Sequence, residues 1–235
     1  MPFHSQFSRR DYLRGFGAIA IGATLSQTPL KSAWANVSPP TQATAVSPDE
    51  ALAALLEGNQ RFIQQQGQHP HQTAERLLEV AQAQAPFATI LSCADSRVPA
   101  EILFDQGIGD LFDIRVAGNI VTPAVLGSLE YAVMMLECPL IMVMGHERCG
   151  AVTAAVQGGN FPGHISSFVS AISPAITKSK AAIDDPIEAS VVANVRYQVE
   201  QITALSPLLA QRIKNNQLKV VGSRYDLDTG KILLV

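Results

Sequence analysis

Three short apolar runs punctuate the chain, Phe87 to Leu91, Leu111 to Val116 and Pro139 to Met144, and none of them alternates with polar residues. Continuous runs of this length fit strands covered on both faces. A helical stretch, Pro123 to Leu136, lies between the second and third runs. Strand and helix in alternation imply parallel pairing through right-handed crossovers. Upstream, Ser47-Pro48-Asp49-Glu50 reads as a capping box with proline in the first turn, and Leu52, Leu55, Leu56 and Phe62 or Ile63 follow at helical spacing. Gln72 to Gln84, Ser166 to Ala182 and Pro186 to Leu205 are further predicted helices. Leu218 to Val221 and Lys231 to Val235 form a last strand pair around the turn Asp228-Thr229-Gly230. The predicted fold class is α/β: one domain, 47–235, with a mostly parallel central sheet flanked by helices and an N-terminal helical arm.

The first 46 residues follow another pattern. Ser8-Arg9-Arg10-Asp11-Tyr12-Leu13 precedes an apolar, Gly- and Ala-rich stretch from Gly15 to about Thr24, too short to span a bilayer. Ala33-Trp34-Ala35 then offers a small-x-small cleavage site. The paired arginines resemble a twin-arginine signal, so residues 1–35 are expected to direct export and to be removed near Asn36. Residues 36–46, rich in Pro, Ser, Thr, Gln and Ala, read as a linker. The mature protein is expected outside the cytoplasm, in a periplasm or in a thylakoid lumen where the host has one, without stable membrane insertion.

Composition narrows the partners. The 235 residues are 47% hydrophobic and 16% charged, with a formal charge of -3. Loss of Arg9, Arg10, Arg14, Lys31 and Asp11 with the signal makes this -6. A mildly acidic surface without basic runs argues against nucleic acid and against anionic membranes. Three cysteines, Cys93, Cys138 and Cys149, would leave one thiol over in any disulfide framework.

Two of those cysteines sit where an open parallel sheet carries its chemistry, just past the carboxyl ends of strands. Cys93-Ala94-Asp95-Ser96-Arg97 follows the first run, and Gly145-His146-Glu147-Arg148-Cys149-Gly150 follows the third. If those strands are neighbours, Cys93, His146 and Cys149 form a three-ligand zinc site with an open fourth position, the pattern of a catalytic rather than a structural zinc. A Cys93–Cys149 disulfide formed after export is the alternative on spacing alone. Asp95 and Arg97 taken alone would be an ordinary loop ion pair. His4, His69, His71 and His164 have no companions at ligand spacing, and Cys138 reads as inert core.

Cys93-Ala94-Asp95-Ser96-Arg97-Val98-Pro99 and Gly145-His146-x-x-Cys149-Gly150 are similar to both signature motifs of the β-class carbonic anhydrases. The resemblance runs from the Ser47 helix to the C-terminal strands and includes Arg115-Val116-Ala117-Gly118-Asn119 and Glu130-Tyr131-Ala132. It implies one zinc per chain on Cys93, His146 and Cys149, and reversible hydration of carbon dioxide to bicarbonate by zinc-bound hydroxide. It also implies a catalytic pair in which Arg97 holds Asp95 and Asp95 accepts a hydrogen bond from the hydroxide. Gln84, Phe112 and Tyr131 match substrate-pocket positions of plant-like members, and Gly150 is a candidate anion-facing backbone. The resemblance further implies a homodimer or higher homo-oligomer, with the pocket completed across the interface. Ile90 stands where some bacterial relatives carry a tryptophan of an accessory bicarbonate site, so that site is not expected and an open, water-bound zinc is. Two thiolates offset the charge of the metal, so activity is expected to rise towards alkaline pH. CS2 or COS hydrolysis on the same scaffold, or a non-catalytic zinc-binding or disulfide-stapled exported protein, are the alternative readings.

Overall fold

The structure is a computed structural model describing residues 46–178 and 185–235. The expected export signal, His4 and all of the expected linker except Val46 lie outside the described residues, as does the end of the helix expected over 166–182.

Helix α1 (Pro48–Ile63) starts as its sequence requires, with the Glu50 backbone N–H donating to the Ser47 hydroxyl and the Ser47 N–H donating to the Glu50 carboxylate. The expected helix after it is shorter than 72–84: α2 (Ala74–Val80) buries none of its residues and so has no packing to extend it. Strand β1 (Ala88–Ser92), a short α3 (Ala100–Leu103), β2 (Leu111–Arg115), a 3-10 turn (Ala117–Asn119), α4 (Pro123–Met135) and β3 (Leu140–His146) follow. The chain continues through α5 (Gly150–Gln157), α6 (Ile165–Lys178), α7 (Pro186–Leu205), α8 (Pro207–Lys214), β4 (Lys219–Tyr225) and β5 (Ile232–Leu234). Helices α3, α5 and α8 were not anticipated from periodicity, because four to eight residues hold too little of a repeat.

The strands form one sheet in the order β2-β1-β3-β4-β5, parallel except for the antiparallel β4–β5 pair. Helices cover both faces, which is why the strand sequences are apolar throughout. On one face Ile90, Met142 and Met144 pack with Ala51 and Leu55 of α1 and with Leu103 and Phe104. On the other, Leu91, Ile141 and Val143 pack with Val125 and Leu129 of α4, Val195 and Ile202 of α7 and Leu209 of α8. Helix α1, expected as an arm, therefore has Ala51 and Leu55 fully buried in the core of its own chain. A third apolar cluster gathers at the carboxyl ends of β1 and β3 and contains both Cys93 and Cys149.

Asn59 ties α1 to the rest of the domain. Its amide nitrogen donates to the carbonyls of Leu103 (3.0 Å) and Gly230 (2.9 Å), and its oxygen accepts from the Ile232 N–H (2.9 Å). An Asn59→Ala variant leaves three backbone groups without these partners and is expected to lose about 3 kcal/mol or more of unfolding free energy. Equilibrium urea denaturation measures this, and a loss below about 0.5 kcal/mol, the scale of a neutral surface change, would remove the tie from the account.

Candidate metal centre

Register brings the two chemical clusters together. Ser92 pairs with Met144 across β1 and β3, so Cys93 and the segment from Gly145 to Cys149 leave the sheet side by side. Ligand atoms of Cys93, His146 and Cys149 lie within 4.8 Å of one another, with all three residues buried. The three cysteines of the chain are free thiols, and the sulfurs of Cys93 and Cys149 are 4.0 Å apart.

Each ligand is oriented by its surroundings. The His146 Nδ1 is 2.8 Å from the Glu147 carbonyl, a hydrogen bond that needs the proton on Nδ1 and leaves the Nε2 lone pair facing the cluster. Buried Nε2 has no hydrogen-bond partner among the described residues. Cys149 caps the N-terminus of α5, where backbone N–H groups favour a thiolate. The Gly118 N–H donates to the Cys93 sulfur at 3.4 Å. Gly118 has φ 74°, and a Cβ there would stand 2.6 Å from the Ile172 side chain, so glycine is required on both counts. The Gly118 carbonyl accepts from Asn194 of α7 (2.9 Å), Asn194 accepts from Gln198 (3.0 Å), and Gln198 accepts from the Val121 N–H (2.8 Å). This buried chain of amides, which holds the Gly118 turn in place, was missed in the sequence because both α7 residues fit a helical pattern.

The segment after β3 is held from the other side. Glu147 accepts from Arg224 of β4 and from the Leu227 N–H, while Arg148, with φ 49°, makes a two-pronged pair with Asp228 (2.9 and 2.7 Å). Glu147, Asp226 and Asp228 also lie close together, but Arg224 and Arg148 answer their charge.

Electrostatics of the cluster call for a cation. Hydrogen bonding from Cys149 draws the Cys93 thiol below its ordinary range, while that same hydrogen bond and burial push Cys149 above it. Two sulfurs this close in one buried pocket can both become thiolates only against positive charge. Two potential thiolates and an unpartnered imidazole nitrogen fit a borderline-soft divalent ion such as Zn2+.

Asp95 stands at the edge of the cluster, its Oδ2 3.8 Å from His146 Nε2. Arg97 grips both carboxylate oxygens (2.9 and 2.8 Å), and the Arg97 N–H adds a third bond at 3.0 Å. These hydrogen bonds hold the Asp95 carboxyl well below the usual carboxylate range, against burial that would raise it.

A carbonic anhydrase family profile matches residues 88–232, which includes the whole cluster. Carbonic anhydrase 2 of Mycobacterium tuberculosis is 41% identical over 192 residues, covering 80% of this chain and 93% of that protein. The chain belongs to the β-class carbonic anhydrase family. The carbonic anhydrase of Pseudomonas aeruginosa is 32% identical over 195 residues, covering 76% of this chain and 84% of the relative. Among solved structures, a Coccomyxa β-carbonic anhydrase in complex with acetazolamide superposes with a TM-score of 0.63 at 29% identity, over 78% of this chain and 86% of that one. A tetrameric β-carbonic anhydrase of Sordaria macrospora shares the fold, with a TM-score of 0.65 at 24% identity over 78% and 96% of the two chains.

Of the remaining sequence-predicted site residues of this carbonic anhydrase, Gln84, Phe112 and Tyr131 lie apart from the cluster within one chain. Gln84 is exposed ahead of β1, at the end opposite Cys93, so the length of a five-residue strand, about 16 Å, separates them. Phe112 and Tyr131 contact each other, with ring centroids 6.2 Å apart and a tilt of 39°. Phe112 pairs with Thr89, four residues before Cys93 along β1. Gly150 opens α5 beside Cys149, and a Cβ there would meet nothing within 4 Å. His71 hydrogen-bonds Asp110 (2.7 Å), and neither it nor His69 or His164 joins the cluster. Cys138 accepts from the Thr89 hydroxyl and is buried in the core, its thiol pushed up by burial.

Proposed function

We propose that the protein interconverts carbon dioxide and water with bicarbonate and a proton as a zinc enzyme, with one Zn2+ per chain on Cys93, His146 and Cys149. The observation that carries this reading is the buried Cys-His-Cys set, whose His146 Nε2 is unpartnered and lies beside a carboxylate locked by arginine. The carbonic anhydrase relatives at 41% and 32% identity support the reaction.

Zn2+ bound there would supply the Lewis acidity that lowers the pKa of a water, less far with two thiolates as ligands than with neutral imidazoles. The chain's own residues supply orientation. Asp95, ionised and acceptor-only, takes a hydrogen bond from the O–H of the attacking hydroxyl and so turns its lone pair towards the carbon. Arg97 keeps Asp95 both charged and in one rotamer through its two-pronged contact.

Assembly is part of the proposal. The distance of Gln84, Phe112 and Tyr131 from the cluster of their own chain supports their lining the site of a neighbouring copy in a homodimer or larger assembly. Tyr131 is 41% exposed, as a residue awaiting a partner would be. For residues 1–35 we propose twin-arginine export of the folded, metal-loaded domain and release near Asn36, with 36–46 as a tether. The Arg9-Arg10 pair, the short apolar stretch and Ala33-Trp34-Ala35 support this. No helix among the described residues is long and apolar enough to cross a membrane.

The test is zinc content and CO2 hydration measured on one preparation of the purified protein. About one zinc per chain together with hydration activity supports the reading. Metal-free, inactive protein with oxidised thiols would replace it with a disulfide-bearing scaffold.

A further inference from the structure

Arg115 ends the edge strand β2 and pairs in register with Ser92, the residue before the first candidate ligand. Its guanidinium turns onto the backbone of the loop that follows β1. Nε donates to the Cys93 carbonyl at 3.3 Å, and a terminal nitrogen donates to the Asp95 carbonyl at 2.6 Å. These carbonyls flank Ala94, so one rigid group grips the two peptide units that aim the Cys93 sulfur and the Asp95 carboxylate. Other ties hold the same loop at neighbouring points: Val116 N–H donates to the Ser92 carbonyl (3.1 Å) and Val98 N–H to the Asp95 carbonyl (3.1 Å). None of them reaches the Cys93 carbonyl.

We propose that Arg115 is a positioning residue for the reaction: its fork across the Cys93 and Asp95 carbonyls holds the ligand loop so that thiolate and carboxylate converge on one point. This rests on the reading of Cys93 as a metal ligand and Asp95 as the group that orients the nucleophile. The fork is the chemical requirement. A guanidinium presents donors in one fixed plane to two acceptors at once, whereas a lysine ammonium is a point charge on a flexible stem and satisfies one carbonyl without fixing the angle to the other. Charge-assisted bonds to carbonyls are also stronger than neutral ones, which suits a clamp on an exposed edge strand. Ligand geometry is sensitive to such supports: residues that orient metal ligands typically alter metal affinity or activity by about 10–100-fold when changed.

The experiment compares the wild-type holoprotein with Arg115→Gln and Arg115→Lys. It measures kcat and KM for CO2 separately, the rate of zinc transfer to a chelator, and hydrogen–deuterium exchange of the segment from Cys93 to Val98. Both variants are expected to lower kcat about tenfold or more with KM within about twofold, because the groups that meet CO2 remain while their aim is lost. Zinc transfer and exchange in that segment are expected to be faster by a similar factor, with exchange elsewhere in the sheet unchanged. If Arg115→Gln does not fold, Arg115→Lys decides, since it keeps the charge and the aliphatic stem. Wild-type kcat and zinc transfer in Arg115→Lys would overturn the fork, as would unchanged exchange in either variant. If the wild-type protein itself holds no zinc and hydrates no CO2, the functional reading above falls. Exchange in the metal-free proteins then judges the clamp by itself, faster exchange in the variants upholding it and equal exchange overturning it.

Discussion

Cys149→Ser is expected to give a folded protein that holds no zinc at the proposed site and has lost CO2 hydration by about three orders of magnitude or more. Serine is nearly isosteric with cysteine and is favoured at the N-cap position that Cys149 holds before α5, so packing around this residue, 1% exposed, is disturbed little. What the variant cannot provide is a thiolate. A serine hydroxyl stays neutral near pH 7 and is a poor ligand for a borderline-soft metal, so Cys93 and His146 are left as a two-ligand site. Without the metal, water keeps its ordinary, much higher pKa, and hydroxide at the site falls accordingly. Zinc analysis and stopped-flow hydration of the variant check both halves. Cys138→Ala is the control: Cys138 contacts Thr89 and Leu140 at the far end of the strands from the cluster, and its loss leaves zinc and turnover unchanged. Retention of zinc and of activity within about tenfold by Cys149→Ser would show that the metal is held elsewhere.

The candidate ligand set was legible in the sequence because each part of it is local to a feature the sequence shows. Cys93 and His146–Cys149 end two apolar runs, and runs apolar on both faces must be interior parallel strands with their carboxyl ends on one side. Only adjacency had to be supposed, and the pairing of Ser92 with Met144 supplies it. Asp95 and Arg97 were readable for the same reason, being two and four residues beyond Cys93.

Groups whose role depends on a register that no local pattern encodes were not legible. Arg115 entered only as the first residue of a motif shared with the family, and its contact with the Cys93 and Asp95 carbonyls appears only with β2 beside β1 and Arg115 opposite Ser92. Asn194 and Gln198 are one helical turn apart on α7, and nothing in that spacing says that their amides end on the Gly118 turn. Gln84 rested on the resemblance alone: β1 runs between Gln84 and Cys93 and carries them to opposite ends of the sheet within one chain. The limits of α2 were misjudged for an energetic reason: a helix that buries nothing ends where its propensity does.

Arg97→Gln separates the two duties of the Asp95–Arg97 pair, because it removes the charge and the fork while leaving the carboxylate in place. At neutral pH the variant is expected to lose about 10–100-fold in kcat/KM, the range for a residue that orients a reacting group through another. The pH profile carries the sharper signature. In the wild type the arginine hydrogen bonds hold the Asp95 carboxyl below its usual range, so it stays ionised through the acid region. With Arg97 gone, the largest remaining influence, burial, works in the opposite direction, and Asp95 takes up its proton at higher pH. A protonated Asp95 presents an O–H donor where an acceptor is needed, so the acid limb of kcat/KM is expected to move towards neutrality. Stability follows the same sign. A carboxyl whose pKa is lower folded than unfolded stabilises the fold above its unfolded pKa, and this contribution is lost as pH falls through the folded value. The melting-temperature gap between wild type and variant is therefore present at pH 7 and closes in strong acid, and it is small throughout because Arg97 is half exposed. Arg97→Lys restores charge without the fork and is expected to return the acid limb further than it returns kcat. An acid limb unmoved in Arg97→Gln would mean that the charge state of Asp95 owes nothing to its arginine, and the pair would revert to an ordinary loop contact beside the metal.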